Sequence, residues 1–247
     1  MDDSARYRIL DAAHTLLLQG GKDAMSTRAV CAVAGVQAPT IYRIFGDKQG
    51  LLNAVTSESL SAYLRAKTVD APAGDPVDAL RRGWDIHVEF GLSHPAVYVA
   101  IWGDPNPEEK VPAAQAASAV LLEMVQRIAE SGRLAVPAER AAQVVQAAGR
   151  GITLTLIGLS PDRRDMSLSK LAREAVLNAI IAPDGAQTSS GDHSVQAAIT
   201  LMAHLDELPS FTHGEKTLFH EWLARVSGGR ALGIRTMNEG VAGPPEP

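Results

Sequence analysis

Apolar residues recur at helical spacing through most of the chain, and the alternation of apolar and polar residues that marks a half-buried strand is almost absent. The pattern therefore predicts an all-α protein. A first helix is predicted at 4–19, with an apolar face formed by Ile9, Ala12, Ala13, Leu16 and Leu17. Further helices are predicted at 47–69, 75–92, 95–103, 111–132, 137–159, 167–182, 193–208 and 212–227.

Residues 24–52 carry a tighter pattern, two short helices joined by a glycine and followed at once by a third helix. The first short helix is predicted to bury one face, made of Ala29, Val30, Val33 and Ala34. Gly35 comes next, and glycine accepts the left-handed backbone that ends a helix and turns the chain sharply. The hydroxyls of Ser26 and Thr27 can cap the helix start.

The second short helix is predicted to begin near Gln37, with Pro39 in its first turn, where a missing amide costs nothing. Its buried face is predicted to consist of Ile41, Ile44 and Phe45. The side chains left outside are Gln37, Ala38, Thr40 and Arg43, with Tyr42 at the edge. This layout is that of a helix-turn-helix that reads DNA.

These residues resemble the N-terminal domain of the TetR family of transcriptional regulators. The matching pieces are Thr27, the run VCAVAG at 30–35, Val36, the run TIYRIF at 40–45, Lys48 and Leu51-Leu52, with 4–19 as the family's first helix. Four positions depart from the family pattern: Cys31, Gln37, Pro39 and Ile44. None of the four breaks the fold, and Gln37, where a Ser or Thr cap is usual, is left available for a base contact.

Nine residues are predicted to contact double-stranded operator DNA: Thr27, Arg28, Gln37, Ala38, Pro39, Thr40, Tyr42, Arg43 and Lys48. Gln37 and Thr40 are the candidate base readers, and Arg28 is a candidate phosphate contact. Lys48 lies at a helix start, where the helix dipole also attracts phosphate. Plainer interpretations stay open: Thr27 as a helix cap only, Tyr42 as a core-edge residue, and the charged residues as solvated surface.

The overall charge of −5 is unevenly distributed. Residues 1–50 carry six Lys or Arg and five Asp or Glu, a net of +1, and the other 197 residues carry 17 and 23, a net of −6. An acidic body with a mildly basic end fits a protein that binds DNA through one end, and tight binding would need a dimer. The single cysteine, the charged N-terminus and the lack of a long apolar stretch predict a cytoplasmic protein without disulfides or membrane spans.

The predicted domains are a helix-turn-helix domain at 1–50, a helical ligand-binding and dimerisation domain at 51–230, and a flexible tail at 231–247. The resemblance implies that the bundle forms a homodimer through helices 137–159 and 167–182. The candidate interface residues are Val145, Gly149, Ile152, Leu156, Leu171 and Ala175. Their small and apolar character suits close helix packing, although both helices could equally be internal core.

The resemblance also implies a small-molecule site, for which five residues within one 19-residue span are candidates: Trp84, His87, Phe90, Tyr98 and Trp102. An apolar cavity with a few polar groups is typical of such sites. The same spacing fits ordinary core aromatics, and His87 alone is more typical of a structural histidine.

The resulting prediction is a TetR-like DNA-binding regulator, a repressor released from its operator by a small, largely apolar effector. An alternative is a regulator or activator controlled by a protein partner, through the helices at 193–227. No catalytic constellation, cofactor-binding motif or metal-ligand spacing is apparent, so neither an enzyme nor a cofactor or metal site is predicted.

Overall fold

The computed structural model describes residues 3–69, 74–103, 111–182 and 190–228. Within these ranges the chain forms eleven α-helices and no strand, which confirms the all-α prediction. The helices are α1 Asp3–Ala24, α2 Thr27–Ala34, α3 Ala38–Phe45, α4 Lys48–Val69, α5 Pro76–Ser93, α6 Pro95–Trp102, α7 Pro112–Glu130, α8 Ala138–Ile157, α9 Met166–Ile180, α10 Ser190–Ala203 and α11 His213–Gly228. The predicted tail at 231–247 lies outside the described residues.

Most helix ends lie within two residues of their predicted positions. The larger differences are at α1, which continues to Ala24 across a kink at Gly20 and Gly21, and at α10. The α10 helix ends at Ala203 rather than 208, because Leu205–Glu207 forms a separate 3-10 turn. Gly21 has a φ of 68°, a conformation that suits glycine and lets the chain turn toward α2.

Helices α1 to α3 and the start of α4 pack around a small apolar core. Ile9 and Leu17 of α1, Val30 of α2, Ile41 of α3 and Leu51 of α4 are all buried in it. The predicted inner face of α1 is confirmed, with Leu16 half-buried and the other four residues buried. This core fixes the orientation of α3, whose outer side remains open.

The same core continues without a break into the larger bundle. Buried residues of α6, including Val97, Tyr98 and Ile101, belong to the cluster that contains Ile9 and Ile41. Helix α4 adds a second connection, because it begins beside α3 and ends among α5 and α7. The N-terminal helices are therefore packed on the bundle through two helices.

A second apolar core lies deeper in the bundle, between α5, α7, α8, α9 and α10. Several polar connections tie α5 to α9. Arg173 donates to Asp85, Arg81 donates to Glu174, and the buried Trp84 Nε1 donates to the Ser169 hydroxyl at 3.0 Å. Helix α11 packs on α10 and on the 3-10 turn before it. Its exposed side carries Leu218, Trp222 and Val226.

Candidate DNA-binding surface and ligand cavity

The turn between α2 and α3 has the geometry that the sequence predicts. Ser26 caps α2, accepting a hydrogen bond from the Ala29 amide at 3.2 Å, and Thr27 is the first helical residue. Gly35 adopts φ 64° and ψ 40°, and its amide donates to the Cys31 carbonyl. The chain thus reverses over two residues and delivers Gln37 to the start of α3.

Replacing Gly35 by alanine is expected to lower the free energy of unfolding by about 1–2 kcal/mol, the cost of a left-handed conformation for an L-residue. A Cβ at Gly35 would meet no atom within 4 Å, so the loss arises from the backbone alone. Urea unfolding followed by circular dichroism measures it. Gly214→Ala is the matched control, since that helical glycine also has open space around it. An equal loss in both variants would contradict the role given to Gly35.

Helix α3 buries one side and exposes the other. Ile41 is buried, Ile44 and Phe45 are half-buried, and the Arg6 guanidinium lies 5.1 Å from the centre of the Phe45 ring. On the outer side, Tyr42 is 50% exposed and Arg43 is also exposed. The predicted face of α2 is wrong at Val33, which is 58% exposed, because the core meets that helix through Val30 and Ala34.

All nine residues predicted to contact DNA lie at least partly on the surface of the N-terminal domain. Those that are exposed are Arg28, Gln37, Pro39, Tyr42, Arg43 and Lys48, and those that are half-buried are Thr27, Ala38 and Thr40. Together they form what we call the reading surface. Gln37 makes no side-chain capping bond at the start of α3, so its amide is not committed to holding the helix.

Lys48 is the first residue of α4, directly after the capping residue Asp47. The Asp47 carboxylate accepts a hydrogen bond from the Gly50 amide at 2.6 Å. Asp47 satisfies one of the amides that a helix start leaves open, while Lys48 extends into solvent beside it. The start of α4 therefore presents a positive side chain together with the positive end of the helix dipole.

A cavity lies inside the bundle, between α4, α5, α6, α7 and α8. Its wall is made of Tyr63, Leu80, Gly83, Trp84, His87, Trp102, Ala117, Ser118, Leu121, Met124, Val145, Gln146 and Gly149. Three of the five predicted ligand-binding residues line it, namely Trp84, His87 and Trp102. Phe90 and Tyr98 do not, because both are buried behind the wall in the core shared with the N-terminal domain.

The predicted ligand site missed Tyr63, Leu80, Gly83 and all of the wall contributed by α7 and α8. Tyr63 lies 24 positions before His87 and on another helix, so no local spacing connects the two. The α7 residues are mostly small or aliphatic and carry no chemical signal of their own. The i, i+3, i+4 spacing of apolar residues in α7 predicts which side of the helix faces the interior. It does not predict that this side borders a cavity.

His87 joins two tyrosines at the cavity wall. Its Nδ1 atom lies 2.9 Å from the Tyr63 hydroxyl and its Nε2 atom lies 2.8 Å from the Tyr98 hydroxyl. Burial raises the pKa of both tyrosines above the ordinary value, so both hydroxyls keep their protons. Tyr98 is also hydrogen-bonded to Thr153, which donates in turn to the Gly149 carbonyl at 2.7 Å.

The cavity offers only about 40 Å³ to water-sized molecules, roughly the room that one water occupies. The space between its walls is about 490 Å³ when the part open to solvent is included. Gln146 donates to Ser118 at 2.8 Å and so ties α8 to α7 at the wall. A ligand of ordinary size would have to move these helices apart.

The six residues predicted for the dimer interface differ in their exposure within the single chain. Val145, Gly149 and Leu156 are buried inside the single chain, and Val145 and Gly149 line the cavity. Ile152 is half-buried. Leu171 is 71% exposed and Ala175 is exposed, so these two face outward on α9 as a subunit contact requires.

Helices α8 and α9, which pack against each other, both expose small and apolar residues to solvent. On α8 these are Val144, Ala147, Gly151 and Thr155, and on α9 they are Leu168, Leu171 and Ala175. At the start of this stretch the prediction selects the wrong neighbour: Val145 is predicted to face outward, but the exposed residue is Val144. We call this seven-residue surface the α8–α9 face.

Among the described residues, no three His, Cys, Asp or Glu side chains lie together as metal ligands would. Cys31 is half-buried and packs against the N-terminal core, as expected of a small filler. No helix within the described ranges is both long enough and apolar enough to cross a bilayer.

The N-terminal residues that form the helix-turn-helix also match known DNA-binding regulators in sequence. Residues 9–55 match the sequence model of bacterial regulatory proteins of the tetR family. Over 68 residues the chain is 40% identical to YvkB, an uncharacterised HTH-type transcriptional regulator of Bacillus subtilis. That match covers 28% of this chain and 35% of YvkB, so it spans about a third of the relative's length.

Solved structures extend the likeness to the bundle at the level of the fold. FadR from Bacillus subtilis, in complex with stearoyl-CoA, is 16% identical with a TM-score of 0.60, covering 71% of this chain and 99% of FadR. FadR from Bacillus halodurans is 16% identical with a TM-score of 0.58, covering 70% and 97%. Residues 9–55 are therefore similar to the tetR family of bacterial regulatory proteins, and the described bundle shares the fold of the two FadR structures.

Proposed function

We propose that this protein is a ligand-responsive repressor that binds operator DNA as a homodimer and leaves it when a small, largely apolar effector enters the bundle. The observation that carries the proposal is the course of α4. This helix begins with Lys48 on the reading surface and carries Tyr63 in the cavity wall. The two residues are about 22 Å apart along the helix, at about 1.5 Å per residue.

DNA binding is supported by the chemistry and exposure of the reading surface. Arg43 and Lys48 supply positive charge for phosphates, and Gln37 offers an amide that suits an adenine edge in the major groove. A protomer with only this modest positive patch would bind DNA weakly. Two protomers double the phosphate contacts and match two half-sites about 34–36 Å apart.

The proposed homodimer uses the α8–α9 face. Val144 of α8 and Leu171 of α9 are exposed although both are large and apolar, and α8 also exposes the small residue Gly151. Small residues let two helices approach closely, and exposed apolar residues give such a contact its free energy. The outward position of Ala175 fits the same surface.

Effector control is proposed to work as a shift between two populations. The bundle as described is nearly closed around its cavity, and it holds α4 against α5 and α7. An effector must separate these helices to enter, so it binds the opened state better than the closed one. Because of that difference in affinity, the effector shifts the population toward the opened state. In that state the start of α4 at Lys48 is displaced, and the spacing of the two reading surfaces in the dimer changes with it.

The proposal is tested by fluorescence anisotropy with DNA from upstream of the protein's own gene, at two salt concentrations. We expect sequence-preferring binding that weakens as salt rises, and that weakens further on addition of an effector found by screening. Selection from genomic fragments covers the case of a remote operator. If selection enriches no sequence over random DNA, the DNA-binding proposal is wrong; if operator binding is the same with every bound compound, effector control is wrong.

Gln37→Ala is expected to reduce affinity by about 1–3 kcal/mol at one base position of the operator and to leave the other positions unchanged, because its amide reads a base edge. Measurement requires a set of operators in which each base pair is changed in turn. Arg28→Ala is the comparison, since loss of a phosphate contact weakens binding to all of these operators alike. A uniform loss with Gln37→Ala would show that Gln37 does not read a base.

A further inference from the structure

Arg6 is an exposed cation on the first turn of α1, and it lies against an aromatic ring. Its guanidinium carbon Cζ is 5.1 Å from the centre of the Phe45 ring, within the range of a cation–π contact. Among the residues that the structure describes, no carboxylate pairs with it. Arginines of the bundle do form ion pairs with Asp or Glu, namely Arg81, Arg127, Arg133, Arg173 and Arg225. The ring therefore holds the Arg6 side chain without neutralising its charge.

This contact lies at the edge of the N-terminal core. Ile9 lies one turn after Arg6, Ile41 lies one turn before Phe45, and both isoleucines are buried in that core. Arg6 and Phe45 therefore form the next layer outward from it, at the end of α3. An arginine that stacks on a ring keeps the N–H donors at the edge of its planar group available.

The end of α3 also lies close against the first turn of α4. A Cβ atom placed on Gly50 would collide with the Phe45 carbonyl oxygen, so glycine permits this approach. Lys48 belongs to the same turn of α4, and the Asp47 carboxylate beside it accepts from the Gly50 amide. One short turn is thus preceded by the ring that carries the Arg6 guanidinium and followed by Lys48, at the positive end of the α4 dipole.

Two cations so placed suit a surface of closely spaced negative charges, as the backbone of DNA provides. Duplex DNA carries one charge for about every 1.7 Å of its axis, so a second cation beside a phosphate contact meets another phosphate. A guanidinium can donate two parallel N–H groups to phosphate oxygens, whereas an ammonium acts as a point charge. We infer that Arg6 binds a backbone phosphate next to the one at Lys48, and that the Phe45 ring holds its side chain in position for this contact. The DNA-binding region then extends beyond the reading surface onto α1.

This inference rests on the proposed DNA binding, but its test needs neither the operator nor an effector, because a phosphate contact carries no sequence information. Fluorescence anisotropy of the full-length protein with a random-sequence duplex, over a series of salt concentrations, compares the native protein with Arg6→Gln. We expect the slope of log affinity against log salt to fall by about 1.8, from two lost contacts in a dimer at about 0.9 each. Affinity at about 0.1 M salt should fall at least tenfold.

Arg8→Gln is the matched control. It removes the same charge two positions later, where the exposed side chain leaves α1 about 200° around the helix from Arg6 and donates to Ser4 at 3.4 Å. Its slope and affinity should equal those of the native protein. Arg6→Lys should keep the native slope and bind severalfold more weakly, because the charge remains without the planar group. In a Phe45→Leu background, with the helices checked by circular dichroism, Arg6→Gln should cost less affinity than in the native protein.

A native slope in Arg6→Gln, or an equal fall in Arg6→Gln and Arg8→Gln, would overturn the inference. A purely structural role for Arg6 would lower the free energy of unfolding in urea and leave the slope unchanged, which also counts against it. The Arg6 and Arg8 variants decide the phosphate contact even if Phe45→Leu does not fold. If the native protein binds no duplex at low salt, the proposed function and the inference are both wrong. Binding without sequence preference or effector response would refute the proposed repressor and leave the Arg6 contact standing.

Discussion

Exchanging Arg43 and Lys48 together for alanine is expected to weaken operator binding by at least about 100-fold at physiological salt. Both side chains are exposed on the reading surface, and a dimer loses four positive charges at once. Each phosphate contact contributes about −0.9 to the slope of log affinity against log salt, so the slope should fall by about 3.6 if all four are phosphate contacts. Anisotropy titrations over a series of salt concentrations measure both quantities.

The matched control is Arg82→Ala together with Arg225→Ala, which removes the same charge from exposed positions of α5 and α11. The exposed ion pair of Arg225 with Glu221 contributes little to stability, so the control protein should fold normally. An equal loss of affinity in both double variants would mean that overall charge, and not the reading surface, governs binding.

Replacing Leu171 by glutamate is expected to weaken the homodimer by at least about 100-fold. Leu171 is 71% exposed in the single chain, so a polar residue there should not disturb the fold. In the proposed dimer, however, two copies of this side chain would be buried, and each contributes about 1.5–3 kcal/mol. Sedimentation equilibrium at several protein concentrations measures the dissociation constant, and circular dichroism checks that the helices are intact.

Leu218→Glu serves as the control, because Leu218 is another exposed leucine, 45% exposed, on α11 and outside the α8–α9 face. It should leave the dimer unchanged. If Leu218→Glu dissociates the dimer and Leu171→Glu does not, the subunits associate through α11 instead. If neither variant dissociates the dimer, neither helix determines the association; if both dissociate it equally, the effect is not specific to the α8–α9 face.

The reading surface could be predicted from sequence because local rules decide it. Gly35 fixes the turn, Ile41 marks the inner side of α3, and the outward residues follow from helical periodicity. Val33 is the exception, since its apolar character argues for burial while only the position of α1 leaves it outside. Helix α2 has only eight residues, so the packing of α1 against it determines which of its apolar residues are buried.

The cavity and the dimer surface could not be predicted to the same degree, for two different reasons. Tyr63 and His87 meet only because α4 and α5 pack together, and a single sequence does not state that packing. Helix α8 carries small and apolar residues on more than one side, so Val144 and Val145 look alike in the sequence although one is outward and the other inward. Because both sides of α8 carry residues of the same type, the sequence alone does not indicate which side of the helix faces the core.

The unbroken core between the N-terminal helices and α6 has a consequence for engineering new specificities. Ile9 and Ile41 share one cluster with Val97 and Tyr98, so a cut after residue 50 would uncover apolar surface on both sides. Transplanting the first 50 residues onto the bundle of another regulator would join mismatched halves of that core. A working chimera must therefore carry α6 and the inner side of α4 along with the reading surface, which makes the unit of exchange discontinuous in sequence.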